Sequence, residues 1–110
     1  MYMTWYEDYE NFFKVFIRSG TYVDETAFYF KNDINQDEHY IGFLPEYDKP
    51  FWAGYCDISN GCEFKTAEEL FNAKIYDGKS IKQRWNEIVF IQIAGVDINE
   101  WADVFGIKVD

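Results

Sequence analysis

Aromatic residues are the feature that most constrains the fold of this chain. They make up 22% of the sequence, and 17 of them lie between Tyr2 and Tyr55. Each buried aromatic ring removes about 150–250 Å² of surface from water, so this many rings require a packed core. This composition excludes an intrinsically disordered chain, although the net charge is −10. A chain of 110 residues therefore predicts a single domain spanning residues 1–110.

Helical spacing and capping motifs predict four helices. A capping box opens at Thr4, and apolar residues recur at helical spacing after it. Two further boxes begin at Thr66 and Ser80, and Asp97 resembles another N-cap. We therefore expect helices near residues 5–18, 67–73, 81–88 and 98–105.

Four other segments are typical of β-strands, and they lie near residues 22–31, 39–44, 51–56 and 89–94. If Leu44 pairs with Phe51 in the hairpin, His39 lies beside Cys56 on one face. Strands and helices are partly segregated along the chain. The sequence therefore predicts an α+β fold in which a mixed or antiparallel four-stranded sheet packs against helices.

Acidic residues are concentrated in the first part of the chain. Residues 1–63 carry twelve acidic and four basic side chains, a net charge of −8, whereas residues 64–110 carry eight and six, a net charge of −2. Such a surface steers association with a basic protein, and exposed aromatic rings are frequent interface anchors. The residues predicted to bind the partner are Asp33, Asp37, Glu38, Glu46, Tyr47, Asp48 and Trp52.

This pattern favours a small acidic protein-binding module, such as an inhibitor or immunity-type protein that docks on a nuclease or another nucleic-acid enzyme. A DNA mimic would need its carboxylates concentrated about sixfold on one face. One alternative is acidity that serves only solubility, with a small ligand or glycan bound by hairpin aromatics. Another is a structural or homodimeric protein. Direct binding of nucleic acid is not expected, because the net charge opposes contacts with phosphate.

No motif indicates catalysis, a metal or a cofactor. Gly78-Lys79-Ser80 ends like a phosphate loop, but position 73 is Ala where that loop needs glycine. His39 is the single histidine, and one residue of register slip would separate it from Cys56. Cys56 and Cys62 match no zinc spacing, so we expect two reduced structural thiols. We therefore predict a protein that is not an enzyme.

Membrane insertion and export are not expected. The longest apolar run, Ile88–Ala94, is far too short to span a bilayer. The amino-terminal residues are acidic where a secretory signal needs basic ones. The sequence therefore predicts a cytoplasmic protein.

Overall fold

The structure is a computed structural model that describes residues 2–18, 24–102 and 106–108. Its architecture is α+β. The strands are Tyr2–Thr4 (β1), Thr26–Phe30 (β2), His39–Phe43 (β3), Phe51–Gly54 (β4), Cys62–Phe64 (β5), Ile88–Ile93 (β6), Val96–Asp97 (β7) and Gly106–Lys108 (β8). The α-helices are Tyr9–Arg18 (α1), Ala67–Asn72 (α2) and Ile98–Ala102 (α3), and two 3-10 helices span Trp5–Glu7 and Trp85–Glu87.

An antiparallel six-stranded sheet forms the centre of the fold, in the order β5-β4-β3-β2-β6-β7. β1 and β8 form a separate antiparallel pair. The four predicted strands correspond to β2, β3, β4 and β6, so the predicted number of strands is wrong. β5 and β7 contain only three and two residues, and segments this short have no readable period. Residues 22 and 23 of the first predicted strand lie outside the described residues.

The core lies where α1 and α2 pack against the sheet. Phe12 of α1 and Phe71 of α2 are both fully buried. The Phe12 ring lies 6.1 Å from that of Phe71 and 4.9 Å from that of Phe90 in β6, measured between centroids. The rings therefore supply the interior that the composition predicted.

The first helix begins later than predicted. Asp8, not Thr4, caps it, because Asp8 Oδ2 accepts the backbone N–H of Asn11 at 3.0 Å. This carboxylate satisfies a donor that the first helical turn leaves free. The preceding residues Trp5–Glu7 form a 3-10 helix. The helix predicted near residues 5–18 is therefore wrong at its start and agrees with α1 at its end.

Two predicted helix starts are confirmed. Thr66 Oγ1 accepts the backbone N–H of Glu69 at 3.1 Å, and α2 follows directly. Asp97 Oδ1 accepts the N–H of Asn99 at 2.9 Å at the start of α3. The last residues of the helix predicted near 98–105, residues 103–105, lie outside the described residues.

The capping box predicted at Ser80 also forms. Ser80 Oγ accepts the N–H of Gln83 at 3.1 Å, and Gln83 Oε1 accepts the N–H of Ser80 at 2.9 Å. A turn and the 3-10 helix Trp85–Glu87 follow it in place of an α-helix. The helix predicted near residues 81–88 is therefore wrong, because the chain enters β6 at Ile88, directly after the 3-10 helix.

The β3–β4 hairpin has a register one residue away from the predicted one. Phe43, and not Leu44, lies opposite Phe51. The N–H of Leu44 donates to the carbonyl of Pro50 at 2.8 Å, and Pro50 has no N–H with which to continue the ladder. The shift places the Phe43 ring against the Phe51 ring, with 4.8 Å between the ring centroids and 53° between the ring planes. None of the helices that the structure describes has the length and hydropathy of a membrane span.

Candidate functional site

A cleft of about 780 Å³ opens where several loops meet at one end of the sheet. It is bordered by the β2–β3 loop, the β4–β5 loop and the turn that follows α2. Five carboxylates line it, together with one guanidinium, that of Arg84; the acidic residues are Asp33, Asp37, Glu38, Asp57 and Asp77. Among the described residues, the charged side chains that line the cleft sum to −4 (five negative, one positive). We call it the acidic cleft.

The β2–β3 loop is organised by the carboxylate of Asp33. Its Oδ1 accepts the N–H of Asn35 at 3.0 Å, and its Oδ2 accepts the N–H of Asp37 at 2.9 Å. Aspartate commonly bonds the backbone just ahead of it in this way, so the sequence itself favours the turn. Asp33 therefore fixes Asp37 and the adjacent Glu38 at the edge of the cleft.

The β4–β5 loop is joined to the turn after α2 by Asp57. Its two carboxylate oxygens accept the backbone N–H groups of Asp77 and Gly78, each at 3.0 Å. The N–H of Asp57 donates to the carbonyl of Ile75 at 2.7 Å. These backbone donors favour the ionised carboxylate and hold the pKa of Asp57 below its ordinary value. The side chain of Asp57 therefore serves chiefly to hold two walls of the cleft together.

Arg84 forms the floor of the cleft and is buried. Its guanidinium carbon lies 3.6 Å from the centre of the Phe30 ring. Its nitrogens donate to both carboxylate oxygens of Glu87, at 3.1 and 3.4 Å, and this lowers the pKa of Glu87. They also donate to Asn32 Oδ1 at 3.3 Å and to the carbonyl of Tyr76 at 3.4 Å. Arg84 thus joins the separate segments of the cleft, and its charge is already partnered.

Much of the negative charge of the cleft is turned toward solvent. The carboxylate of Asp77 lies 3.7 Å from Arg84 Nη1 but is 92% exposed. The side chains of Asp37 and Glu38 are exposed, and neither forms an ion pair within the described part of the chain. Glu38 accepts a long hydrogen bond, at 3.3 Å, from the hydroxyl of Tyr40. Asp37, Glu38 and Asp77 are therefore the carboxylates best placed to meet an incoming cation.

Exposed apolar side chains lie around the same opening. Tyr55, which lines the cleft, is 73% exposed. Ile34, beside Asp33 in the β2–β3 loop, is 97% exposed, and Ile58, beside Asp57 in the β4–β5 loop, is 46% exposed. Large apolar groups beside a charged cleft are typical of a protein-binding surface.

His39 and Cys56 both line the cleft, but they are not opposite one another as predicted. The Nδ1–H of His39 donates to the carbonyl of Tyr55, and the thiol of Cys56 donates to the carbonyl of Ile58 at 3.6 Å. Tyr55 has a left-handed backbone, with φ of 57°, where the chain leaves β4. The hydrogen bonds of His39 and Cys56 therefore lead to backbone carbonyls rather than to each other.

Tyr76 is buried beside the cleft, and its hydroxyl has no hydrogen-bond partner among the described residues. Burial raises the pKa of this phenol, and the neighbouring thiols of Cys56 and Cys62 raise it further.

Within the described ranges, no three His, Cys, Asp or Glu side chains are grouped to hold a metal ion.

The seven residues predicted to bind a partner fall into two groups and one separate side chain. Asp33, Asp37 and Glu38 line the cleft. Glu46, Tyr47 and Asp48 lie in the turn between β3 and β4, which we call the hairpin tip. The five residues of β3, at about 3.3 Å each, separate the two groups by roughly 16 Å. Trp52 is half-buried, and its indole N–H donates to Asp24 Oδ1 at 2.9 Å.

Sequence reasoning missed three charged residues of the cleft, namely Asp57, Asp77 and Arg84. The turn at Asp77-Gly78 was readable from its glycine. No local signal indicated that this turn lies against Asp57, which is 20 residues away in the chain.

The chain matches no protein-family model, and it has no significant similarity to curated proteins or to solved structures.

Proposed function

We propose that the protein is a small acidic protein-binding module that docks on a basic partner through the acidic cleft. The class we propose is an inhibitor or immunity-type protein that neutralises a nuclease or another nucleic-acid enzyme. One observation carries the proposal: five carboxylates and a single, internally partnered guanidinium surround one concave opening.

The charge of the cleft supports a basic partner over a nucleic acid. Enzymes that bind nucleic acids present lysine and arginine side chains to phosphate groups. The same side chains can form charge-assisted hydrogen bonds to exposed carboxylates that form no ion pair with the described residues, such as those of Asp37 and Glu38. Complementary charge of this kind raises the association rate and helps to select the partner.

The apolar side chains beside the cleft support a protein rather than a small cation as the partner. Most interface energy comes from a few apolar or aromatic groups that fill pockets on the other protein. Tyr55, Ile34 and Ile58 are large, exposed and held in the loops that border the cleft. The carboxylates would raise the rate of association with a basic partner, and the apolar groups would supply most of the binding affinity.

Two matched charge reversals test the proposal. The double variant Asp37→Lys, Glu38→Lys reverses two charges in the cleft. The double variant Glu46→Lys, Asp48→Lys makes the same change of total charge at the hairpin tip. Asp33 and Asp57 are left intact, because their carboxylates hold the loops through backbone hydrogen bonds. Each protein is used to capture partners from a lysate of the organism that encodes it, at about 50 mM and about 300 mM salt.

We expect a stoichiometric basic partner that is captured at low salt by the wild type and the hairpin-tip variant. The cleft variant should lose it, and high salt should weaken the capture. The purified partner should then be inhibited by the wild type in an assay of its own activity. Equal capture by both variants, or no basic partner at either salt, would contradict the proposal.

A further inference from the structure

One edge of the central sheet is only partly covered. β6 pairs with β2 along one side, from Ile88 to Gln92. Along its other side, β7 pairs with Gln92 and Ile93 alone, and β7 ends at Asp97 because that side chain caps α3. Within the part of the chain that the structure describes, no strand lies beside the outer edge of residues 88–91. This edge can therefore pair with a further strand.

Backbone groups of Ile88 and Phe90 point outward along this edge. The N–H of Lys31 at the end of β2 donates to the carbonyl of Glu87 at 2.7 Å. Successive residues of an antiparallel strand turn their backbone groups to opposite sides, so those of Ile88 and Phe90 face away from β2. The N–H of Ile88 donates to the carbonyl of Trp85. The carbonyl of Ile88 and both backbone groups of Phe90 are the groups that an added strand would meet.

A groove of about 480 Å³ lies beside this edge, and we call it the edge groove. Its apolar lining comes from β6, the two 3-10 helices and the start of α3, namely Tyr6, Trp85, Ile88, Val89, Phe90 and Ile98. It shares no lining residue with the acidic cleft. The volume is within the range of about 300–1,000 Å³ that is usual for binding pockets. Four extended residues, at about 3.3 Å each, match the length of the free edge.

Two opposite charges, Glu7 and Lys31, complete the lining of the edge groove. Both side chains are exposed, and neither forms an ion pair with another described residue. The groove therefore has no net charge, in contrast to the acidic cleft. Lys31 follows Phe30, which lies opposite Ile88, so a cation stands at the Ile88 end. A carboxylate on a bound segment could form a charge-assisted hydrogen bond with it.

We propose that the edge groove binds an extended segment of another protein, which adds to the sheet beside β6 through backbone hydrogen bonds to Ile88 and Phe90. Alternate apolar side chains of the segment fill the groove, and a carboxylate of the segment pairs with Lys31. Tyr6 and Ile98 border the groove, so a single strand fits it better than the edge of a second sheet. This site is independent of the docking function proposed for the acidic cleft.

A synthetic peptide of seven residues tests the site with the wild-type protein. The peptide alternates valine and threonine and ends in glutamate. Calorimetry should give a Kd below about 1 mM. Amide hydrogen exchange, followed by NMR, should slow at least about tenfold at the N–H of Phe90 when the peptide is saturating. The N–H of Val89 already faces β2, so its exchange should not change.

Two N-methylated versions of the peptide test the strand pairing. Each carries methyl groups on one of the two alternating sets of backbone nitrogens. Only one set faces the edge of β6, so one version should bind at least about tenfold more weakly and the other should bind like the parent peptide.

A charge exchange tests the role of Lys31. The variant Lys31→Glu should favour a lysine-ended peptide over the glutamate-ended one, by about fivefold more than the control does. The control is Lys65→Glu, which makes the same change of total charge at an exposed residue outside the groove. It should keep the preference of the wild type.

Three results with the wild type would overturn the proposal. Slow exchange of the Phe90 N–H without peptide would show that the chain itself already pairs this edge. Binding without protection of Phe90, or equal weakening by both methylated versions, would place the peptide elsewhere. Absence of binding at about 1 mM peptide would show that the edge groove does not take a strand. Each result is obtained without the basic partner, so it leaves the proposed function of the acidic cleft to its own test.

Discussion

The guanidinium carbon of Arg84 lies 3.6 Å from the centre of the Phe30 ring, across the floor of the acidic cleft. Phe30 is the last residue of β2, and Arg84 immediately precedes the 3-10 helix that leads into β6. The Phe30 ring shields one face of the guanidinium from water, and two of its nitrogens donate to the carboxylate of Glu87. Such a cation contributes more to stability than an exposed one, because it is shielded from water.

Arg84→Met should lower the free energy of unfolding by about 2–3 kcal/mol, because it removes both hydrogen bonds from Arg84 to Glu87 and the cation from the Phe30 ring. Methionine keeps an apolar stem of similar length, so the loss reports the guanidinium group. Lys79→Met is the matched control. Lys79 is exposed, and its loss should change stability by under about 0.5 kcal/mol. Urea denaturation measures both, and equal losses in the two variants would contradict the role of Arg84.

The contrast between local and distant contacts explains what could be predicted from the sequence. The caps at Thr66 and Ser80 join residues three apart, so the residue pattern alone indicated them. The bond from Arg84 to Asn32 spans 52 residues, and no pattern in the sequence indicates it. The α+β class was therefore readable, whereas a cleft made by three distant segments was not.

The positions of the acidic residues were also only partly predictable from the sequence. Asp33, Asp37 and Glu38 were recognised from one polar loop and do lie together at the cleft. Glu46 and Asp48 are near them in sequence, but β3 carries the chain to the other end of the sheet. Charge patterns report which residues are solvated, and only strand direction decides which solvated loops meet.

A side chain at Gly42 should destabilise the fold, because the indole ring of Trp52 lies against the Cα of Gly42. A Cβ added at Gly42 would meet Asp24 Oδ1 at 2.0 Å and the Trp52 ring at 2.5 Å. Gly42→Ala should therefore lower the free energy of unfolding by about 1–3 kcal/mol. Gly54 in the paired strand β4 is the control, because its added Cβ would meet Trp52 only at 3.6 Å. Gly54→Ala should be neutral or slightly stabilising in the same urea titration.

The substitution Asp57→Asn should make the free energy of unfolding less dependent on pH. Because folding lowers the pKa of Asp57, its ionised carboxylate stabilises the folded state at pH values above the ordinary pKa of 3.8. This contribution is lost as the pH falls through the lowered pKa of the folded state. The variant should be less stable than the wild type at pH 7, by up to about 1 kcal/mol. The difference should shrink toward pH 3.

Urea titrations at the two pH values measure this difference. Asp48→Asn is the control, because its exposed carboxylate accepts no hydrogen bond within the described residues. It should change stability by under about 0.5 kcal/mol at either pH. A constant deficit of Asp57→Asn across the range would show that ionisation of Asp57 does not matter.

Tyr55→Ser should weaken docking and leave the fold intact. The ring is 73% exposed beside the cleft, so its loss should change stability by under about 1 kcal/mol. An aromatic side chain at the centre of an interface typically contributes enough that its removal weakens binding at least about tenfold. Tyr47→Ser is the matched control, since Tyr47 is 56% exposed at the hairpin tip.

Surface plasmon resonance with the captured partner measures both tyrosine variants. Faster dissociation is expected for Tyr55→Ser and wild-type behaviour for Tyr47→Ser, because loss of a short-range apolar contact acts mainly on the dissociation rate. The cleft reversal should instead slow association, and more so at low salt, because it removes long-range attraction. If Tyr47→Ser is the weaker binder, the partner docks at the hairpin tip, and the acidic cleft is not the interface.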